Sequence, residues 1–148
     1  MKKIFISALL IFLIFIFESI AKDTFLSLKN NTVNVRYQPT LNSPIKYIYK
    51  KKNLPVKLID KKENFRRIID LKKNSGWIHR TQLKPSNSII ILENKVLFKK
   101  PSNLSKPILR LEKGRLLIIK KCRNDWCHIN TGDYSGWVMN NNIWGSIN

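Results

Sequence analysis

Acidic side chains are scarce in this chain: Asp and Glu number 9 against 28 Lys and Arg, a formal charge of +19 over 148 residues. Lys, Asn and Ile crowd the sequence as an A/T-rich genome would produce, but Asp and Glu codons tolerate A/T as well, so the deficit of acids needs another cause. A field of that size favours anionic partners and speeds encounters with them. The competing explanation is a solvated lysine-rich surface that keeps a small protein soluble. Cysteine and histidine are each limited to two residues. No Gly-rich nucleophile elbow, Ser-His-Asp set or paired carboxylate occurs, which excludes the common hydrolytic machineries. A helical apolar period is also missing beyond residue 21, which argues against a helix bundle. No second apolar run there is long enough to span a bilayer.

The one long apolar run is at the start. Lys2 and Lys3 precede an apolar stretch from Ile4 to Phe17 broken only by Ser7, and Ser19-Ile20-Ala21 supplies small residues at the two positions a signal peptidase reads. That is the three-part layout of a secretory signal peptide. At about 14 residues the run is short of the roughly 20 a spanning helix needs. Residues 1–21 are therefore expected to be a leader cleaved after Ala21, with an uncleaved anchor as the alternative. Periplasmic residence follows, and export removes nucleic acid as the partner that a basic chain otherwise suggests.

What remains has the pattern of many short strands. Thr32-Val33-Asn34-Val35-Arg36-Tyr37 alternates, and Arg67 to Leu71, Ile89 to Leu92 and Leu116 to Ile119 are β-branched or leucine runs. Breakers fall between them about every ten residues: Pro39, Pro44, Asn74-Ser75-Gly76, Pro85-Ser86-Asn87, Pro101-Ser102-Asn103, Gly114, Asn124-Asp125 and Gly132-Asp133. The fold class is all-β, a sandwich or small barrel. The chain also repeats itself. Gly76-Trp77-Ile78 recurs as Gly136-Trp137-Val138, an offset of 60, and Phe65 to Ile68 matches Trp126 to Ile129. Val33 to Arg36 followed by Pro39 corresponds to Lys95 to Phe98 followed by Pro101, and Pro44-Ile45 to Pro107-Ile108. The expected organisation is a first unit over 22–84, a joint at 85–88 and a second unit over 89–148.

Each unit is near the lower size at which one core stabilises a fold, so its large aromatics matter. Trp77 and Trp137, each after a Gly, read first as packing: the Gly admits a neighbouring strand while the ring plugs the barrel. Tyr37, Tyr47, Tyr49 and Trp144 fall where loops or the chain end are expected and are the candidates for stacking on sugar rings. Lys51, Lys52 and Arg66, from the basic clusters, complete the candidate ligand-binding set.

Val33-Asn34-Val35-Arg36 with Pro39 three residues later, a central hairpin, then Gly76-Trp77-Ile78 resembles the signature of bacterial SH3-like domains. Leu54-Pro55-Val56, Asn64 to Ile68, Gly76 to Arg80, Cys122 to Cys127, Gly136-Trp137-Val138 and Ile143-Trp144-Gly145 resemble a proteobacterial branch made of short exported proteins with two such units. Asn34, Arg36, Pro39, Gly76, Trp77, Trp126, Gly136 and Trp137 carry the signature. The first unit departs from the family by surrounding Pro39 with Tyr37, Gln38 and Thr40, and the second by placing Phe98 where the first has Arg36. The resemblance implies a five- or six-stranded barrel per unit and binding to peptidoglycan or to envelope proteins. It does not carry the polyproline recognition of eukaryotic SH3 domains, whose aromatic ligand motif is absent.

Cys122 and Cys127 flank a short Arg-Asn-Asp-Trp turn, and in an oxidising compartment such a pair favours a disulfide. A nucleophilic role would need a base within reach, yet His128 directly follows Cys127 and so faces the other side of a strand. A metal site from Cys122, Cys127 and His128 lacks a fourth ligand and the usual spacing. The expectation is thus no enzymatic activity, no metal and no cofactor. The chain would bind peptidoglycan or another anionic envelope polymer, or else dock on a cell-wall protein, with association to anionic phospholipid as a weaker third.

Overall fold

The computed structural model describes residues 22–147; the expected leader, 1–21, lies outside the described residues. Among the described residues the fold comprises fourteen short strands and one 3-10 turn. The first half holds β1 (Phe25–Leu28), β2 (Val33–Arg36), β3 (Ile45–Tyr49), β4 (Pro55–Lys62), β5 (Phe65–Ile69), β6 (Ser75–His79) and β7 (Leu83–Pro85). The second holds β8 (Ser88–Ile91), β9 (Lys95–Phe98), β10 (Pro107–Leu111), β11 (Leu116–Arg123), β12 (Trp126–Thr131), β13 (Tyr134–Met139) and β14 (Ile143–Gly145). The strand orders are β3-β2-β6-β5-β4-β1-β7 and β10-β9-β13-β12-β11-β8-β14, the same topology twice. The fold is all-β, as the breaker spacing predicts. Each unit has seven strands rather than five or six, because the residues after the Gly-Trp strand return as β7 or β14 to pair with the opening strand.

Each sheet closes on its own core. One apolar cluster joins Leu28, Val33, Val35, Val56, Ile68, Ile78 and Leu83, and a second joins Ile89, Ile91, Leu97, Leu111, Leu117, Cys127, Ile129 and Val138. In a flat sheet β2 and β7 would stand about 24 Å apart at roughly 4.8 Å per strand. Val35 and Leu83 share a cluster, so the sheet is curled. Asn34 N donates to Gln82 Oε1 at 3.3 Å across the closure.

The central hairpins, β4–β5 and β11–β12, turn through two residues each, and the first turn residue takes a positive φ in both, 48° at Glu63 and 54° at Asn124. Each long strand also carries a register shift, between Leu58 and Asp60 and between Ile119 and Lys121. Such a bulge reverses which face the following side chains occupy. It is therefore the bulge that brings Cys122 opposite Cys127, where they form a disulfide beside the buried core. The first unit fills that cross-strand position with Lys61 and Arg66.

The tryptophans do not plug the barrels. Gly76 and Ile78 point inward and are buried, so the intervening Trp77 lies on the outer face, half-buried; Trp137 does the same between Gly136 and Val138. Alternation along a strand demands this once the flanking residues are core. The glycines themselves behave as expected: a Cβ on Gly136 would stand 2.7 Å from Phe98 O, and one on Gly76 would collide with Val35 Cγ1. The cores are instead almost wholly aliphatic.

Ser86 and Asn87 connect β7 to β8, and polar contacts tie the units there. Ser27 and Ser88 are fully buried with their hydroxyls 2.8 Å apart, and Ser86 Oγ lies 3.0 Å from Ser27 Oγ. Ser88 Oγ donates to Asn53 O. Trp144, on β14, reaches back to the first unit: its Nε1 donates to Pro55 O at 3.0 Å and its ring meets Phe25 edge-on at 5.1 Å.

Candidate functional site

A groove of about 730 Å³ opens where the two units meet. The first unit contributes Tyr47 and Tyr49 from β3, Lys51 and Leu54 from the β3–β4 loop, and Asp70, Lys72 and Asn74 from the β5–β6 loop; Ile90 and Gly114 come from the second unit. Tyr47 and Tyr49 share a face because they are two residues apart on a strand. Their rings pack edge to face at 5.2 Å against the first core, with hydroxyls 3.3 Å apart. They were expected in a loop; the strand places them instead as the rigid wall of a groove.

Asp70 anchors the other wall. Its side chain caps its own loop, Oδ1 accepting from Asn74 N at 2.9 Å and Oδ2 from Asn74 Nδ2 at 3.0 Å. Tyr49 donates its hydroxyl to Oδ2 at 2.9 Å. Burial pushes the Tyr49 phenol well above its ordinary value, helped by the Tyr47 hydroxyl and by the negative charge of Asp70. Burial raises Tyr47 as well, against the lowering effect of its bond to Tyr49. Both phenols are therefore neutral donors at any physiological pH. Lys51 and Lys72, exposed at the rim, supply positive charge above an apolar floor that includes Leu54 and Ile90. An apolar floor with a few fixed polar groups is the general pattern of a small-ligand site.

The other expected residues are scattered. Tyr37 is 60 % exposed in the β2–β3 loop, with Lys46 Nζ 5.7 Å from its ring centroid. Lys52 is exposed and outside the groove lining. Arg66 serves its own hairpin, donating to Glu63 O at 3.0 Å and Phe65 O at 2.9 Å. Trp144 is engaged at the junction of the units rather than free for a ligand. Of the signature residues, Arg36 donates from Nη1 to Ser43 O at 2.7 Å and so braces the loop that contains Pro39. Sequence reasoning missed Asp70, Ile90 and Gly114, and it read Lys72 only as part of a basic Lys72-Lys73 cluster. Asp70 left a trace as an acid in a chain with few of them, followed four residues later by Asn.

Among the described residues no three His, Cys, Asp or Glu side chains gather as a metal cluster, and no helix is long and apolar enough to cross a membrane.

Solved structures with partial similarity include three NlpC proteins. They are NlpC2 from Trichomonas vaginalis (16% identity, TM-score 0.39, covering 86% of this chain and 50% of that one) and NlpC1 from the same organism (13%, 0.39, 87% and 48%). The third is an NlpC/P60 family protein from Bacillus cereus (11%, 0.39, 82% and 56%). This chain thus spans about half the length of each. No curated protein matches it. The family model for the bacterial SH3 domain matches twice, over residues 29–85 and 93–145, one match to each of the two seven-stranded sheets. On that double match, the chain belongs to the bacterial SH3 domain family and carries two such domains in tandem.

Proposed function

We propose that this chain is an exported, non-catalytic binding protein of the periplasm that recognises peptidoglycan or another anionic component of the cell envelope. The observation that supports this reading most directly is the groove between the units. It joins a pair of rigid tyrosines and an apolar floor to two rim lysines, Lys51 and Lys72, on a chain of charge +19. The stem peptides of a cell wall offer what such a groove selects: short apolar side chains with carboxylates at fixed intervals. Domains of this family serve as binding modules, and two on one chain add avidity on a repeating polymer.

Sedimentation with protein-free sacculi at low and high salt tests the proposal. Retention is expected at low salt and is expected to fall as the ionic strength rises, because the rim charges are exposed and screened. The double variant Lys51→Glu with Lys72→Glu should abolish retention without loss of fold. Failure to sediment at any salt, with recovery of a wall enzyme as a stoichiometric partner, would replace polymer recognition with docking on a protein.

A further inference from the structure

A second surface, away from the groove, has its own chemistry. On the second unit the residues that alternate with the core-facing Leu97, Cys127, Ile129, Gly136 and Val138 point outward: Phe98 on β9, Trp126 and His128 on β12, and Trp137 on β13. The ladder sets them side by side, with His128 opposite Trp137 and Trp137 opposite Phe98. Phe98 and Trp126 meet edge-on at 5.8 Å, and His128 and Trp137 at 5.1 Å. The bulge between Ile119 and Lys121 turns Lys121 and Arg123 onto this same face, opposite His128 and Trp126. Lys121 Nζ then lies 5.7 Å from the Trp137 ring centroid and the Arg123 guanidinium 5.9 Å. Neither cation is within ion-pair distance of an acid: among the described residues the two ion pairs join Lys57 to Asp23 and Lys95 to Glu93.

The first unit does not reproduce this face, although its topology is identical. Arg36 stands opposite Trp77 where Phe98 stands opposite Trp137. Asp60 stands opposite Arg67 where Lys121 stands opposite His128, so an acidic residue takes the place of a basic one at that position. Phe65, in place of Trp126, is buried, with 5% of its surface exposed. The aromatic face with its two cations outside any ion pair is specific to the second unit, so it is not a requirement of the fold.

We infer that this face is a binding site for an acidic sugar, a ring carrying a carboxylate. The half-buried rings, packed edge to face, offer apolar surface to the sugar's C–H face, and an aromatic contact of this kind loses little side-chain entropy because the rings are already packed. Lys121 and Arg123, held above Trp137 and lacking a carboxylate of their own, take the ligand's carboxylate; the Arg fork can do so through two hydrogen bonds. His128 Nε2 and Ser135 Oγ, 3.3 Å apart at the edge, are placed to exchange hydrogen bonds with sugar hydroxyls. Single-stranded nucleic acid also combines flat rings with negative charge, but a chain read as exported meets acidic glycans. The site stands independently of the groove.

Isothermal titration of the full mature chain with oligogalacturonate tests the inference, with a neutral glucan oligomer, single-stranded DNA and phosphatidylglycerol vesicles as comparisons. Oligogalacturonate is expected to bind with a salt-sensitive affinity and the neutral glucan not to bind. Trp137→Ala, and separately Lys121→Ala with Arg123→Ala, should each weaken binding by about tenfold or more, while circular dichroism reports an intact fold. Lys50→Ala with Lys52→Ala removes equal charge elsewhere and should leave the affinity within about twofold. The groove variant Lys51→Glu with Lys72→Glu should likewise still bind oligogalacturonate, which separates this site from the proposed sacculus site. Absence of oligogalacturonate binding overturns the inference. So does equal binding of the neutral glucan, equal loss in the Lys50/Lys52 control, or preference for DNA or vesicles.

Discussion

At the scale of single residues, the groove depends on Tyr49. Its ring packs on the first core while its hydroxyl serves the Asp70 carboxylate, so the half-buried phenol sits where an ionised oxygen would face both desolvation and a negative neighbour. A raised folded-state pKa means that the unfolded chain releases this proton first. The stability Tyr49 contributes is then complete below the unfolded value near 10 and is lost as the pH climbs above it. Urea unfolding of the native chain and of Tyr49→Phe between pH 8 and 11 should show the native chain losing stability more steeply above pH 10. At neutral pH the variant should be about 1 kcal/mol less stable, the cost of one missing bond to a buried carboxylate. Equal slopes in the two proteins would show that the phenol ionises freely. Tyr47 and Tyr49 were legible in the sequence as candidates, but not as strand residues. Ile45 to Tyr49 is exposed along much of its length, so its apolar pattern does not announce a strand.

At the scale of elements, the paired central hairpins show how one topology supports two chemistries. The same bulge sends Lys61 and Arg66 to one cross-strand position in the first unit and the Cys122–Cys127 disulfide to it in the second. Like charges directly opposed weaken a hairpin, whereas a covalent bridge closing so short a loop stabilises by about 2 kcal/mol in the entropic description. Reduction, or replacement of both cysteines by serine, should therefore lower the stability of the second unit by about that amount, read as a shift in the urea midpoint with and without reductant. No shift would show that the bridge is not formed in the folded protein. The bridge was readable from spacing and from the expectation of an oxidising compartment. Trp77 and Trp137 were misplaced because spacing fixes only that Trp and Gly lie on opposite faces. Which face is the inside was decided by the close approach of β2 to Gly76 and of β9 to Gly136, where only hydrogen fits.

For the whole molecule, Trp144 ties the two units together alongside the Ser27, Ser86 and Ser88 hydroxyls. Its indole bonds the backbone of β4 and packs on Phe25 of β1, while its own strand pairs with β8. Trp144→Ala removes the hydrogen bond and the ring contact together. It should cost about 2 kcal/mol, less than the roughly 3–5 of a fully buried aromatic, and it should split a single unfolding transition into two as the units lose their coupling. Differential scanning calorimetry reads both effects; an unchanged single peak would assign the coupling to the buried serines instead. The groove would be expected to widen in the same variant, since Ile90 and Gly114 reach it only through the packing of one unit on the other.

The alternation of short apolar runs, the Pro and Gly breakers and the 60-odd-residue echo were enough to determine an all-β chain with two copies of one unit, because strand periodicity and turn chemistry are local properties. So were the cysteine pair and the excess of positive charge. The groove and the aromatic face were decided by tertiary structure alone. The first needs two units to meet at a particular angle, fixed by Trp144 and a cluster of buried hydroxyls. The second needs a bulge, a shift of one residue in pairing that flips Lys121 and Arg123 to the outer face and that no local pattern in the sequence marks.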